Sequence, residues 1–381
     1  MHNACSAFAL HATTIATRCF VLLLILLGPI VHAAELKTKN VFLITTDGLR
    51  WQEVFTGAEE LLMNKTNGGV VNTNSLRDVF WRDTPEARRQ ALLPFLWGEI
   101  AAKGQLYGNQ LKGSVARVTN GKNFSYPGYS EFLTGAADAR IDSNNKIPNP
   151  NTNVFEWLNL QPEFHGKVAA VVNWDVIPWI LNAGRSRLPV WTGFPLPADA
   201  PVAKMVSPAL EELARDTTPL WGNMILDSFT FHAARDYVKS AKPRAFYVAF
   251  GETDEWAHEG RYDHYLRAAN HVDRFLRALW ETVQSLPEYR DKTTFIITTD
   301  HGRGTGPVAW RNHSAALATA GDIWLAILGP DTPPLGERTN CAPVTQSQVA
   351  ATIAAFLGMD FNAFNPKAAK PIGDAIRGRT K

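Results

Sequence analysis

"TTFIITTDHG", residues 293–302, sets an unbroken apolar and β-branched run against an abrupt polar ending. Such a run suits a strand buried on both faces, as in a parallel sheet. Its close, Asp300-His301-Gly302, puts two metal-ligating residue types at the loop where the sheet would open. A plain turn would use the same residues, with Asp accepting backbone hydrogen bonds, His exposed and Gly at positive φ. That reading does not explain why "NVFLITTDG", residues 40–48, ends in nearly the same way, or why "AFYVAFGETD", residues 245–254, is followed by His258.

Two more runs of this kind, "KVAAVVNWD" (167–175) and "IWLAILGP" (323–330), complete the set. Helical patterns lie between them. The clearest spans Tyr262 to Leu286, where Tyr265, Ala269, Val272, Phe275, Leu276, Leu279 and Val283 recur at three- and four-residue steps. A second covers Gln346 to Leu357. Alternation of strand and helix predicts an α/β fold, a mostly parallel central sheet with helices on both faces, in one large domain. Ligands in such sheets gather at the carboxyl ends of the strands. The segments Leu62 to Arg89 and Asn144 to Asn153 read as turn-rich insertions, and Arg185 to Ala214 is proline-rich; all three are candidate walls of a substrate site.

Among the 381 residues, 38 Lys and Arg nearly balance 36 Asp and Glu, so no broad basic surface argues for nucleic acid. The first residues differ from the rest. No acidic residue precedes Glu35, Arg18 is the last basic one, and "CFVLLLILLGPIVHA" ends with Val31 and Ala33 in a small-residue cleavage pattern. Residues 1–33 therefore read as a signal peptide and 34–381 as the catalytic domain, predicting a secreted or periplasmic protein with no membrane span once the signal is removed. An uncleaved anchor is the other reading, although the run is shorter than the roughly 20 residues a spanning helix needs. Two of the three cysteines, Cys5 and Cys19, lie in that segment, so Cys341 would be left alone without an internal disulfide.

Asp254 and His258, four residues apart after a strand, would share one helix face and could share one cation. Asp47, Asp300 and His301 end two further strands. His313, in "WRNHSA", gains weight from the count: two sites, each wanting about three protein ligands and an open position, need one more nitrogen donor. His165, His232, His264 and His271 have no comparable context. Two divalent cations, best zinc given the nitrogen donors, would lower the pKa of a hydroxyl and stabilise a leaving oxygen if held about 4 Å apart. Ser125, in "FSYPGYSEFLTG" (124–135), is the candidate nucleophile, at the start of a helix expected after Pro127 whose exposed N–H groups attract an anion. As a plain N-cap it would suit the same residues.

At these positions the chain resembles the alkaline phosphatase superfamily, through five ordered blocks: "LITTDG", "SYPGYSEFLTG", "GETDEWAH", "ITTDHG" and "NHS". The resemblance implies that Asp254, His258 and His313 hold one zinc. It implies that Asp47, Asp300 and His301 hold the other, which Ser125 bridges. Ser125 would attack phosphorus and leave a phosphoseryl enzyme that water then hydrolyses. The implied activity is that of an exported di-zinc hydrolase of phosphate esters, monoester or diester, with a small phosphate ester as partner.

Sulfatases of this family carry an arginine where Tyr129 stands here, and an Asp-Asn pair where Asp300-His301 stands. Phosphate transfer therefore leads sulfate transfer, with sulfate or phosphonate-ester hydrolysis as the alternative on the same scaffold. From another class comes a non-catalytic metal-binding protein. Asn144, Asn145 and Lys146 lie at roughly the family's spacing for an amide that binds phosphate oxygen. Lys122, Arg185 and Arg187 are further possible contacts, each equally readable as solvated surface charge, and Trp174 is either a leaving-group wall or a core residue. The oligomeric state has no signature in the chain.

Overall fold

The computed structural model describes residues 35–203 and 207–377. The predicted signal segment, residues 1–33, lies outside the described residues. Leu36–Lys381 makes up one compact unit. No helix among the described residues is long and apolar enough to cross a membrane.

Strands are numbered in chain order: β1 Asn40–Thr46, β2 Gln105–Tyr107, β3 Ala116–Arg117, β4 Val168–Val172, β5 Val190–Trp191, β6 Ala245–Phe250, β7 Thr293–Thr299, β8 Leu325–Leu328, β9 Gly336–Glu337 and β10 Val344–Thr345. An eight-stranded sheet has the order β5-β4-β6-β1-β7-β8-β2-β9, and β3 pairs with β10 in a small second sheet. All five apolar runs are strands of the large sheet. β5, β4, β6, β1 and β7 pair in parallel, whereas β8 runs antiparallel to β7 and β2. The "IWLAILGP" run thus departs from the parallel expectation. After β7 the chain stays at the carboxyl edge through residues 300–324 and returns directly, which an antiparallel neighbour permits without a crossover.

β1 and β7 are buried along their whole length, and their side chains alternate between two layers. Phe42, Ile44, Phe246, Val248, Phe295 and Ile297 face one core, completed by Phe231 and Tyr237 of α3 (Asp227–Ala241) and by α5 (Tyr262–Ser285). Val41, Leu43, Tyr247, Ala249 and Ile296 face the other, against α1 (Ser125–Thr134), α2 (Val154–Asn159) and α6 (Val349–Phe356). Along α5 the predicted stripe from Tyr265 to Val283 is the buried face. Each such large side chain contributes about 1.5–3 kcal/mol by leaving water. Phe42 sits at the centre, its ring stacked on Phe295 at 5.5 Å and edge-on to Phe246 at 5.3 Å.

The segment from Leu62 to Arg89 is more regular than expected. It folds into short helices at Lys65–Gly68, Thr73–Phe80 and Pro85–Leu92. Asn64, Asn72 and Thr84, which read as turn residues, are instead their N-caps, accepting from the N–H groups of Asn67, Ser75 and Ala87. Asn144 to Asn153 is irregular, as predicted.

Candidate metal centre and nucleophile

Sheet register builds the inner half of the site. Thr46 of β1 pairs with Thr299 of β7, so Asp47 and Asp300 leave the sheet side by side, and His301 follows. His301 is fully buried, and its Nδ1 lies 2.8 Å from the Gly302 carbonyl. A carbonyl only accepts, so Nδ1 carries the proton and Nε2 presents a lone pair. That nitrogen is 3.3 Å from Asp47 Oδ1 and 3.3 Å from Asp300 Oδ2. Both oxygens are buried without a hydrogen-bond partner.

Three ligand atoms converging on one point could hold a cation. Their spacing is about the edge of a tetrahedron of ligands near 2.0–2.1 Å from zinc, so these residues fit a divalent ion. Electrostatics agrees. Burial and then Asp254 raise the Asp47 carboxyl well above the usual range, and burial and then Asp47 do the same to Asp300. Each carboxylate lacks the positive charge that would keep it ionised.

The outer half comes from α4 (Glu252–His258), which starts directly after β6. Its start is fixed by a reciprocal exchange: Asp227 accepts from the N–H of Gly251 and Glu252, and Glu252 accepts from the N–H of Asp227. Asp254 and His258 then stand one turn apart on one face, Asp254 Oδ2 to His258 Nε2 being 3.1 Å. His313 arrives from the loop after β7, with Nε2 3.0 Å from His258 Nε2 and 3.7 Å from Asp254 Oδ1. Its Nδ1 is tied to the Asn123 carbonyl at 3.2 Å, which again leaves Nε2 as the lone-pair nitrogen. Burial and then His301 hold the His313 imidazole well below its ordinary pKa, hence neutral and able to ligate. The halves touch: the His301 and His313 rings stack at 3.8 Å, and Asp254 Oδ1 is 3.9 Å from His301 Nε2.

Ser125 stands at the seam, its Oγ 3.3 Å from His301 Nε2. It is the first residue of α1, which therefore starts before Pro127 rather than after it, and it is not the cap; Phe124 occupies that position without a side-chain bond. The Tyr126 N–H is bonded to Asn144 Oδ1 at 2.9 Å, Pro127 has none, and the Gly128 N–H closes on the Phe124 carbonyl. The Ser125 N–H is thus the helix end's donor for an anion beside the hydroxyl. Two contacts hold the serine in place. A Cβ on Gly128 would lie 2.3 Å from the Asp300 carbonyl oxygen, so only glycine lets α1 approach the strand end this closely. Glu131 accepts from the N–H groups of Thr119 and Asn120, fixing the loop that enters the helix.

Of the remaining predicted contacts, Asn144 lies beside Ser125 through its Tyr126 bond. Asn145 is an exposed neighbour in the same loop, and Lys146 is paired with Asp175 at 2.6 Å. Arg185 is engaged elsewhere, both ends of its fork on Glu156 and its remaining donors on the carbonyls of Asn149, Pro150 and Asn151. Arg187 donates to the Asp199 carbonyl, and Lys122 is half-buried. Trp174 is half-buried with its ring 6.1 Å from Tyr129.

Two contacts escaped sequence reasoning. The Tyr129 hydroxyl donates to Asp47 Oδ2 at 3.1 Å; its position one turn after Ser125 was the available signal. Arg303 is buried against Asp254 Oδ1, and nothing in "DHGRG" distinguishes it from a surface arginine.

A family model described as the Metalloenzyme superfamily matches residues 226–361, the stretch that carries Asp254, His258, Asp300, His301 and His313. No curated protein sequence matches the chain. Among solved structures, a variant of alkaline phosphatase PafA superposes with a TM-score of 0.53 at 10% identity, over 90% of this chain and 99% of that one. A putative sulfatase from Bacteroides thetaiotaomicron gives 0.54 at 13%, over 90% and 75%. A phosphonate monoester hydrolase from Silicibacter pomeroyi gives 0.50 at 14%, over 90% and 78%. The fold that the resemblance implies is borne out, and the family-model match covers three of the five sequence blocks, "GETDEWAH", "ITTDHG" and "NHS". The metalloenzyme match and the ligand clusters at Asp47, Asp300, His301 and at Asp254, His301, His313 together mark a metal-binding protein.

Proposed function

We propose that this chain, a member of the alkaline phosphatase superfamily by its fold and its metalloenzyme segment, is an exported di-zinc hydrolase of phosphate esters with Ser125 as nucleophile. The observation that carries the reading is the Ser125 hydroxyl 3.3 Å from His301 Nε2, within a cluster of unsatisfied carboxylate oxygens and lone-pair nitrogens. Asp254, His258 and His313 would hold one ion and Asp47, Asp300 and His301 the other. Bound there, the cations lower the pKa of the hydroxyl and neutralise charge on phosphate and leaving oxygens.

The residues of the chain do the rest. Ser125 Oγ attacks phosphorus, a P–O bond to the leaving group breaks, and the electron pair departs on the alcohol oxygen. The Ser125 N–H and the Asn144 side chain, fixed at the helix entrance, orient the non-bridging oxygens. Water then attacks the phosphoseryl group, the P–Oγ bond breaks, and Ser125 and phosphate are released. Tyr129 holds Asp47 in its orientation throughout.

A second reading is sulfate-ester hydrolysis, supported by the equally good superposition on the putative sulfatase. Against it, Tyr129 rather than arginine stands one turn after Ser125. A panel of aryl phosphate, aryl phosphodiester and aryl sulfate, with labelling of Ser125 by radioactive phosphate ester, tests both. Phosphate turnover with a labelled serine is expected; dominant sulfate turnover would replace the first reading with the second. Export is tested by the mass of the secreted protein, expected to start at residue 34.

A further inference from the structure

The ligand set leaves one buried charge unexplained. The Arg303 side chain is fully buried, and it points its donors in three directions. Nε donates to the Trp310 carbonyl at 2.9 Å, Nη2 to the Arg311 carbonyl, and Nη1 to Asp254 Oδ1. Both carbonyls belong to the loop that ends in His313, and that loop also closes through Gly304 N–H to the Asn312 carbonyl at 2.9 Å. Trp310 is itself immobilised, fully buried, packed edge-on to Tyr262 and Tyr265, with Nε1 donating to the Asn67 carbonyl. On the other side, a Cβ on Gly48 would lie 2.6 Å from Arg303 Nη1 and 2.4 Å from Asp254 Oδ1, so the turn after β1 carries the one residue type that leaves room for the pair.

From this geometry we infer that Arg303 is the positioning residue of the outer half of the metal centre. Its guanidinium staples the loop carrying His313 to the helix carrying Asp254, so that one metal equivalent depends on Arg303 and the other does not. A buried cation persists only when paired, and here its charged partner is a proposed ligand. With Oδ1 held by Nη1, Asp254 keeps Oδ2 turned to His258. The inner ligands do not need this staple, because β1 and β7 already fix Asp47 and Asp300 by register. Lysine could not substitute, having one terminal nitrogen where the site uses three separate donors.

The inference rests on the two-cation reading, and the test separates the two. Full-length protein is stripped with a chelator and titrated with Zn2+ alone in competition with a chromophoric chelator; circular dichroism checks the fold. Wild type should bind two equivalents. Arg303→Met should keep one at wild-type affinity and weaken the other about 10–100-fold. Arg303→Lys retains the buried positive charge, and so serves if the methionine variant does not fold; it should show the same selective loss. A folded variant that binds both equivalents as tightly as wild type, or loses both together, overturns the role of Arg303 alone. Wild type binding fewer than two equivalents overturns the role and the two-cation reading together.

Discussion

Asp47, Asp300 and His301 hang from paired strands in the middle of the sheet, whereas Asp254, His258 and His313 sit on a seven-residue helix and an irregular loop. The inner three are closed to solvent, with His301 at 0% exposure; at the outer edge the His258 side chain is 39% exposed. Both halves have short ligand spacings, but they reach them differently. The inner spacing follows from strand register and would be hard to disturb without breaking the sheet. The outer one depends on a helix start and a buried arginine. A site built this way has one rigid and one adjustable wall, and Ser125 stands between them.

The largest expected effect tests whether the two halves serve one reaction. Ser125→Ala should lower turnover by about 10⁴-fold or more while both metal equivalents and the melting temperature stay near wild type; retained activity in that variant would remove the nucleophile from the scheme. Next comes the frame itself. Phe42→Ala, which empties the ring site between Phe246 and Phe295, should cost about 3–5 kcal/mol in urea unfolding. If the inner half owes its geometry to the sheet, the folded fraction should still load that ion normally.

Tyr129→Phe removes only the donor to Asp47. The inner equivalent should weaken by about 10–100-fold and the outer remain unchanged, as read by zinc competition; equal weakening of both would dissolve the distinction between them. The smallest effect is one of pH. In metal-free protein, the raised Asp47 and Asp300 carboxyls favour the fold when protonated. That contribution is complete below their unfolded values near about 4 and is lost as pH rises through the folded ones. Asp254 behaves oppositely, since against its burial the Arg303 guanidinium above all holds it well below the usual range, so its contribution is lost only in acid. Chelated protein should therefore melt at progressively lower temperature as pH rises above about 4. Zinc-loaded protein should not, because the ion supplies the missing charge.

Much of this was legible in the chain because strand ends are punctuated. The "TTDG" and "TTDHG" endings gave Asp47, Asp300 and His301 as strand-end residues, and the four-residue step gave Asp254 and His258. His313 was reached by counting donors and through the "NHS" block, and the structure brings its Nε2 to 3.0 Å from His258 Nε2. Other features were beyond a reading of period and spacing. Arg303 and Trp310 depend on a loop folding back on a helix some fifty positions earlier. The reversal of β8 depends on where the chain turns rather than on its composition. The helices between Leu62 and Arg89 were hidden because Asn and Thr serve turns and N-caps equally well.

The central place of β1 has a consequence for biogenesis. Val41 finds its partners only in Ala245 and Thr294, so the first strand of the sheet emerges long before either neighbour has been synthesised. Metal acquisition would then be a closing event, since neither candidate trio of donors is complete until the polypeptide has been delivered at least as far as His301. Loading with metal would serve as a seal on maturation, and a cell short of that metal should accumulate finished but inert chains rather than truncated ones.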